Sequence, residues 1–215
     1  MRTAAILPVK RFSRAKQRLG ESVADPLRLD LARAMVGDVL SALRDCAAIE
    51  RTIVVTREES AAAAARYLGG IVVEDPAEEG QSAAVAHGIE RAVAEGFQRV
   101  LCIPGDCPAL DPLEVTALLS VQPAGAAEVV IVPDRHGTGT NGLLLAPPEA
   151  IAPGFGPGSC ERHRQLAQAA GAVCRVERLS SLLLDIDTGE DLAALRERLA
   201  GEPGAGARRT RTVLA

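Results

Sequence analysis

The sequence predicts an α/β fold, a single domain with a mainly parallel central sheet flanked by helices. Short apolar runs recur along the 215 residues, and segments with helical periodicity separate them. This alternation is typical of parallel sheets, because consecutive parallel strands must be joined by a crossover that is usually a helix. The chain also shows no internal repeat and no linker that would divide it into two domains.

Four apolar runs are predicted as strands that are buried on both faces of the sheet. Each run is apolar or β-branched throughout and ends near Pro, Thr or Gly, as expected for strands of a parallel sheet. A fifth run is expected to pair with the fourth. These runs are Ala4–Val9, Ile53–Thr56, Val100–Pro104, Val129–Pro133 and, as the fifth, Gly142–Ala146.

The segments between the strands are predicted as helices. Leu27–Leu43 shows the pattern well, since its apolar residues recur close to every 3.6 positions. The other predicted helices are Ser60–Leu68, Ala83–Glu95, Leu113–Val121, Cys160–Ala170 and Leu192–Leu199. We expect residues 1–200 to form the domain. Residues 201–215 are rich in Gly, Ala and Arg, and we expect a weakly ordered tail there.

The composition argues against several classes of partner. The net charge of −4 gives no reason to expect nucleic-acid binding, and 2% aromatic residues leave few rings for stacking on bases. No apolar run approaches the ~20 residues that span a bilayer, and the N-terminus lacks a signal-peptide pattern, so we expect a cytoplasmic protein. The sequence leaves a homodimer open. Its scattered cysteines are expected to be free thiols: Cys46, Cys102, Cys107, Cys160 and Cys174.

Lysine is almost absent from the chain, and its two occurrences lie close together after the first strand. Lys10 and Lys16 stand in "PVKRFSRAKQRLG", with Arg11, Arg14 and Arg18 around them. Loops at the carboxyl ends of parallel strands are common ligand positions, and such a cluster of cations can neutralise a polyphosphate. The loop lacks both GxxxxGK[ST] and GxGxxG. The alternative is a solvated basic loop, but the retention of both lysines here favours phosphate contact.

Two acidic segments are candidates for a metal ion that accompanies a polyphosphate. Asp106 follows a predicted strand through a Pro-Gly turn, although it could also form an ordinary Asx turn. Asp185 and Asp187 alternate, so an extended segment would place them on one face, and Asp187 is the preferred ligand. Alternatively this segment only starts a helix, with Thr188 and Asp191 as a capping box. Carboxylates are the ligands that Mg²⁺ prefers, so we expect Mg²⁺ as the cofactor.

A second anion site is predicted where "FGPGSCERH" enters a helix. Ser159 is a suitable N-cap and Gly171 a suitable C-terminal glycine, and free N–H groups at the helix start would bind an anion. Upstream, Thr138 and Thr140 offer hydroxyl groups. Simple turns and caps explain this stretch equally well. His136 and His163 are assigned no catalytic role.

Taken together, these motifs resemble one enzyme family. "ILPVKRFSRAKQRL", "GQSAAVAHGI", "CIPGDCPAL", "GTGTNGLLL", "FGPGSCERH" and "LLLDIDTGEDL" occur in the order seen in the 2-phospholactate/phosphoenolpyruvate guanylyltransferase family of coenzyme F-420 biosynthesis. The resemblance covers about residues 1–200 and implies a nucleotidyltransferase fold of the GT-A-like type. It also implies transfer of GMP from GTP to a small phosphorylated three-carbon acid, with release of pyrophosphate.

The resemblance further implies roles for individual residues. The chain departs from the family where Ser82 stands in place of the usual Asn. The implied catalytic residues are Lys10, Lys16 and Asp106; the implied nucleotide-binding residues are Pro8, Lys10, Lys16, Arg18, Gly80, Ser82 and Asp106; the acceptor-binding residues are Thr140, Gly156 and Ser159; and the metal ligands are Asp106 with Asp187 or Asp185.

Several alternatives remain open from the sequence. On family grounds, and because the alanine- and arginine-rich composition suggests a bacterial source, the preferred acceptor is phosphoenolpyruvate. The acceptor could instead be 2-phospho-L-lactate or 3-phospho-D-glycerate. A cytidylyl- or molybdopterin-type nucleotidyltransferase would keep the fold and change the acceptor, and the "FGPGS" element argues against it. A nucleotide-binding regulator without catalysis is the alternative from another class, and the retained carboxylates argue against that.

Overall fold

The computed structural model describes residues 1–21, 23–123, 125–202 and 206–215 of the chain. Within them it places seven strands and seven α-helices. The strands are β1 (Thr3–Val9), β2 (Arg51–Thr56), β3 (Ile71–Val73), β4 (Arg99–Cys102), β5 (Glu128–Pro133), β6 (Thr140–Ala146) and β7 (Val173–Val176). The helices are α1 (Asp25–Asp45), α2 (Glu59–Tyr67), α3 (Gln81–Ala94), α4 (Pro112–Ser120), α5 (Ser159–Ala169), α6 (Gly189–Gly201) and α7 (Arg208–Leu214).

All seven strands form one mainly parallel sheet, which confirms the predicted fold class. The strand order is β3-β2-β1-β4-β6-β5-β7, and β6 runs antiparallel to both of its neighbours. The chain proceeds from β1 outward to β2 and β3, and then returns to place β4 on the other side of β1. This reversal leaves a crevice at the carboxyl ends of β1 and β4, a position where open α/β sheets bind ligands.

The sheet is covered on both faces, so its central strands are apolar throughout, as predicted. Helices α1, α2 and α4 pack on one face, and α3 and α5 pack on the other. Close packing of α3 depends on a glycine: a Cβ at Gly88 would lie 2.5 Å from Ile6 Cγ2. A third apolar cluster joins the Gln17–Glu21 3₁₀-helix to α1, α6 and α7. At the other end of the loop that carries the two lysines, Phe12 packs into the cluster of the α1 face, so this loop is packed at both ends.

Two strands were missed by the sequence prediction. Both β3 and β7 lie at edges of the sheet and have only three and four residues. Their side chains are half-buried or exposed, and neither has the long apolar run that marked the central strands: β3 is apolar over only three residues, and Arg175 interrupts β7. All five predicted strands and all six predicted helices are present, with ends that shift by a few residues.

The expectation of a weakly ordered tail is wrong for the described residues 206–215. There α7 packs against α1, and the backbone N–H groups of Arg209 and Thr210 donate to the buried carboxylate of Asp38 at 3.0 and 2.8 Å. Val213 and Leu214 join the third apolar cluster. A helix this short depends on tertiary packing rather than on its own propensity, which explains why composition did not reveal it. Residues 203–205 lie outside the described residues.

No helix in the described part of the chain is long and apolar enough to cross a bilayer. All five cysteines are free thiols, as predicted. Cys107, which follows the candidate metal ligand, is fully buried, and burial raises the pKa of its thiol well above the usual value. This thiol is therefore held in its unreactive protonated form.

Candidate active site

A cavity of about 540 Å³ occupies the crevice at the carboxyl ends of β1 and β4. Its walls come from four loops and from two helices. The loops follow β1, β3 and β4 or precede α6, and the helices contribute the middle of α1 and the start of α3. Six of the residues predicted for the nucleotide or the metal line it, namely Pro8, Lys10, Lys16, Gly80, Asp106 and Asp187.

Lys16 lies between two of the predicted carboxylates. Its ammonium donates to Asp106 Oδ2 and, at 2.6 Å, to Asp187 Oδ1. Burial of the Lys16 side chain disfavours the charged form, but the negative charges of Asp106 and Asp187 outweigh burial, and the pKa of Lys16 is raised. Its backbone φ of 58° is uncommon for a residue other than glycine. The surrounding structure thus holds a fixed positive charge at this point of the cavity.

Asp106 and Asp187 also fit a divalent cation. Asp106 Oδ1 is buried and has no hydrogen-bond partner within the described residues. A buried polar oxygen without a partner is costly, and a metal ion would supply one. Two carboxylates are the usual protein contribution to a Mg²⁺ site whose other ligands are phosphate and water.

The structure separates the two alternative aspartates of the late motif. Asp187 lines the cavity, whereas Asp185 accepts a hydrogen bond from Asn141 Nδ2 at 3.1 Å and is not among the described residues of the lining. Burial, and then the charge of Asp106, raise the pKa of Asp185. No group of three His, Cys, Asp or Glu side chains in the described ranges could hold a metal ion. Thr188 and Asp191 do form the predicted capping box, and Asp187, just before it, still lines the cavity.

The other basic residues of the loop after β1 differ in where their side chains lie. Lys10 lines the cavity and forms no ion pair with any described residue, whereas Arg18 is exposed and does not line it. Arg11 and Arg14 both lie within 3.3 Å of the Glu78 carboxylate on the opposite loop. These two ion pairs join the loop after β1 to the loop after β3.

Sequence reasoning missed the acidic part of the cavity. Asp75, Glu78 and Glu79 line it together with Gln81. Asp75 is buried, and one of its oxygens accepts the N–H of Glu78 at 3.1 Å. The acidic run "EDPAEEG" was visible in the sequence, but β3 was not predicted. The run therefore could not be placed at the carboxyl end of a strand.

The start of α3 opens onto the cavity through Gly80 and Gln81. Gly80 has φ of 116°, a conformation that favours glycine, and no side chain caps this end within the described residues. The N–H groups of the first turn are therefore available to an anion. Ser82, one residue further on, does not line the cavity. Its hydroxyl oxygen accepts the N–H of Phe155 at 2.9 Å. This hydrogen bond joins α3 to the loop of residues 147–158 between β6 and α5, which we call the acceptor loop because it contains Gly156.

The predicted acceptor residues lie on that loop and beneath it. Gly156 is exposed with φ of 109°, whereas Thr140 and Ser159 are 6% and 1% exposed. The prediction of Ser159 as N-cap is wrong, because Gly158 holds that position in a left-handed conformation. The Ser159 N–H is also not free, since it donates to the Gly156 carbonyl at 3.0 Å. Gly171 ends the helix with φ of 66°, as predicted.

Comparison with known proteins relates the whole chain to one family. Residues 3–202 match the family model described as "Guanylyl transferase CofC like". A protein named phosphoenolpyruvate guanylyltransferase from Conexibacter woesei is 48% identical over 214 residues, which cover 100% of this chain and 96% of that protein. A protein of the same name from Rubrobacter xylanophilus is 40% identical, with 91% and 94% of the two chains covered.

Two solved structures with similar folds are described as transferases that act on nucleotides. A nucleotide-diphospho-sugar transferase from Desulfovibrio desulfuricans aligns with a TM-score of 0.74 and 17% identity over 100% of this chain and 94% of its own. A nucleotidyl transferase from Methanothermobacter aligns with a TM-score of 0.65 and 22% identity over 93% and 98%. At these identities the likeness shows the fold alone, which is the predicted nucleotidyltransferase type.

Proposed function

This chain belongs to the guanylyl transferase CofC-like family, and we propose that it transfers GMP from GTP to phosphoenolpyruvate with release of pyrophosphate. One observation carries the proposal at the level of the site. Lys16, Asp106 and Asp187 come from distant parts of the chain and meet in one cavity at the carboxyl edge of the sheet. A cation flanked by carboxylates in this position is suited to binding a nucleoside triphosphate together with its metal ion.

The reaction joins two anions, so the main task of the protein is to offset negative charge. A phosphate oxygen of the acceptor attacks the α-phosphorus of GTP, and pyrophosphate leaves from the opposite side. The attacking oxygen is already an anion and needs no general base. Lys10 and Lys16 stabilise the charge that develops on the leaving pyrophosphate, and fixed cations need no reorganisation during the reaction. The first-turn N–H groups of α3 add donors for the phosphates.

Mg²⁺ is the proposed cofactor, held by Asp106 and Asp187. When bound, it neutralises phosphate charge and fixes the triphosphate in position. The unpartnered Asp106 Oδ1 supports this assignment. Asp187 is preferred over Asp185 because Asp185 is already bonded to Asn141.

The acceptor is proposed to bind beside the cavity, at the loop that contains Gly156. Two curated relatives are named phosphoenolpyruvate guanylyltransferase, which supports this acid over 2-phospho-L-lactate and 3-phospho-D-glycerate. The Ser82–Phe155 hydrogen bond places the loop next to the start of α3, so the acceptor and the triphosphate would lie side by side.

The test is a pyrophosphate-release assay with GTP, Mg²⁺ and each of the three acids in turn. We expect release with phosphoenolpyruvate, and a product whose mass equals GMP joined to the acid. CTP in place of GTP serves as the matched control for the base, and it should give little release. Release that needs CTP, or none with any acid, would contradict the proposal.

A further inference from the structure

His163 is the centre of a hydrogen-bonded group beneath the acceptor loop. Its ring is 0% exposed. The Gly154 N–H lies 2.9 Å from Nε2, and Thr140 Oγ1 lies 3.0 Å from Nδ1. The Phe155 ring packs edge-on against the imidazole, with ring centres 5.1 Å apart. One side chain therefore contacts both a predicted acceptor residue and the backbone that leads to Gly156.

These contacts determine which ring nitrogen carries the proton. The Gly154 N–H can only donate, so Nε2 must accept and cannot be protonated. Burial, and then the positive charge of Arg162, lower the pKa of His163 to about 4, so the ring is neutral near pH 7. A neutral ring that accepts at Nε2 carries its proton on Nδ1. Nδ1–H therefore donates to Thr140 Oγ1, and the hydroxyl hydrogen of Thr140 stays free to donate elsewhere.

The loop above His163 is held from two further sides. Arg162 donates to the carbonyl oxygens of Gly154 and Pro157 at 2.8 and 2.9 Å. Ser82, on α3, accepts the N–H of Phe155. These contacts fix the path of the loop, but among them only His163 also determines what Thr140 can donate.

We propose that His163 is a positioning residue for the acceptor. Through Nδ1 it leaves the hydroxyl hydrogen of Thr140 free to donate to an anionic acid. Through Nε2 it holds the Gly154 backbone in a fixed position relative to Thr140. The inference rests on the proposed function for the identity of that acid. His163 is fully buried, so we expect it to touch neither substrate. Its effect should therefore appear in the binding of the acid and not in the binding of GTP.

The experiment measures the KM of both substrates in His163→Ala. We expect the KM for phosphoenolpyruvate to rise about 10–100-fold, the range for losing a hydrogen bond to a charged group. The KM for GTP should stay within about twofold. His163→Asn retains an amide N–H near the place of Nδ1 and should recover part of the loss. His87→Asn, on the exposed face of α3, is the matched control and should leave both values unchanged.

A double-mutant cycle with Thr140→Val separates positioning from general stability. If His163 acts through Thr140, the two substitutions together should raise the KM for phosphoenolpyruvate little more than either does alone. Additive effects, an unchanged KM, or equal rises for both substrates would overturn the inference, and His163→Asn supplies the measurement if His163→Ala fails to fold. A wild-type protein without activity on any acid would refute the proposed function, and this inference with it, before any variant is compared.

Discussion

The nucleotide side and the acceptor side of the candidate site differ in the kinds of residue that form them. On the nucleotide side, charged side chains reach into a cavity: Lys16 meets Asp106 and Asp187, and Lys10 is exposed. On the acceptor side, two of the three predicted residues, Thr140 and Ser159, are neutral and buried, and the third, Gly156, is exposed and has no side chain. The predicted residues of the first side can offset charge, whereas those of the second carry no charge and can hold a ligand in place. Substitutions on the nucleotide side should therefore change the rate most, and those on the acceptor side should change the KM.

The largest effect is expected for Asp106→Asn, which would break the nucleotide side. The substitution removes a proposed metal ligand and one of the two charges that face Lys16, so we expect a loss of about 10³-fold in kcat, the upper end for one preorganised electrostatic contact. Titration calorimetry should also show that GTP binding no longer depends on Mg²⁺. Asp185→Asn is the matched control, since Asp185 is bonded to Asn141 instead. If GTP binding by Asp106→Asn still depends fully on Mg²⁺, Asp106 is not a metal ligand and serves only in the turn.

The next effect is expected for Lys16→Ala, at about 10²-fold in kcat. Lys16→Arg should also be impaired, because a planar guanidinium differs in shape and hydration from the compact ammonium that contacts both Asp106 and Asp187. Arg18→Ala is the control, since Arg18 is exposed outside the cavity. Steady-state kinetics decide the matter: a rate near that of the wild type in Lys16→Ala would remove this residue from the site.

On the acceptor side, the burial of His163 should make the free energy of unfolding depend on pH. The pKa of His163 is lowered to about 4, whereas an unfolded histidine has a pKa near 6.5. The unfolded state therefore binds more protons between these values, and stability falls as the pH drops from 6.5 to 4, with no further loss from this group below 4. Between pH 7 and 5 this amounts to about 2 kcal/mol.

Urea unfolding of the wild type and of His163→Asn at pH 7 and pH 5 measures this contribution. Because other groups titrate equally in both proteins, the stability advantage of the wild type should shrink by that amount at the lower pH. An advantage that stays constant would mean that His163 is not held neutral by its surroundings.

The smallest effect is expected for Ser82→Ala, which tests the connection between the two sides. The substitution leaves the Phe155 N–H without its partner, at a cost of about 1 kcal/mol, or roughly fivefold in the KM for the acid. GTP should be affected less, since Ser82 does not line the cavity. Kinetics with both substrates provide the measurement, and Ser120→Ala, exposed at the end of α4, is the control. A larger rise for GTP would indicate that Ser82 contacts the nucleotide directly.

The central strands, the helices and part of the candidate site could be predicted from the sequence, because local patterns of residues determine them. The buried central strands are continuous apolar runs, the helices have periodic apolar faces, and both patterns are readable without the fold. Lys16 and Asp106 stood out for the same reason, since each occupies a loop that directly follows such a strand. The resemblance of the motifs added the family, which the comparisons confirm.

Only the tertiary structure decided which of these residues meet. Lys16 is 90 residues from Asp106 and 171 from Asp187 in the chain, and no local pattern encodes their contact. The short edge strands, the packing of α7 and the burial of His163 likewise depend on neighbours that are remote in sequence. Chemistry carried by a single loop can be read from its residues, whereas burial, protonation and pairing arise from the whole fold.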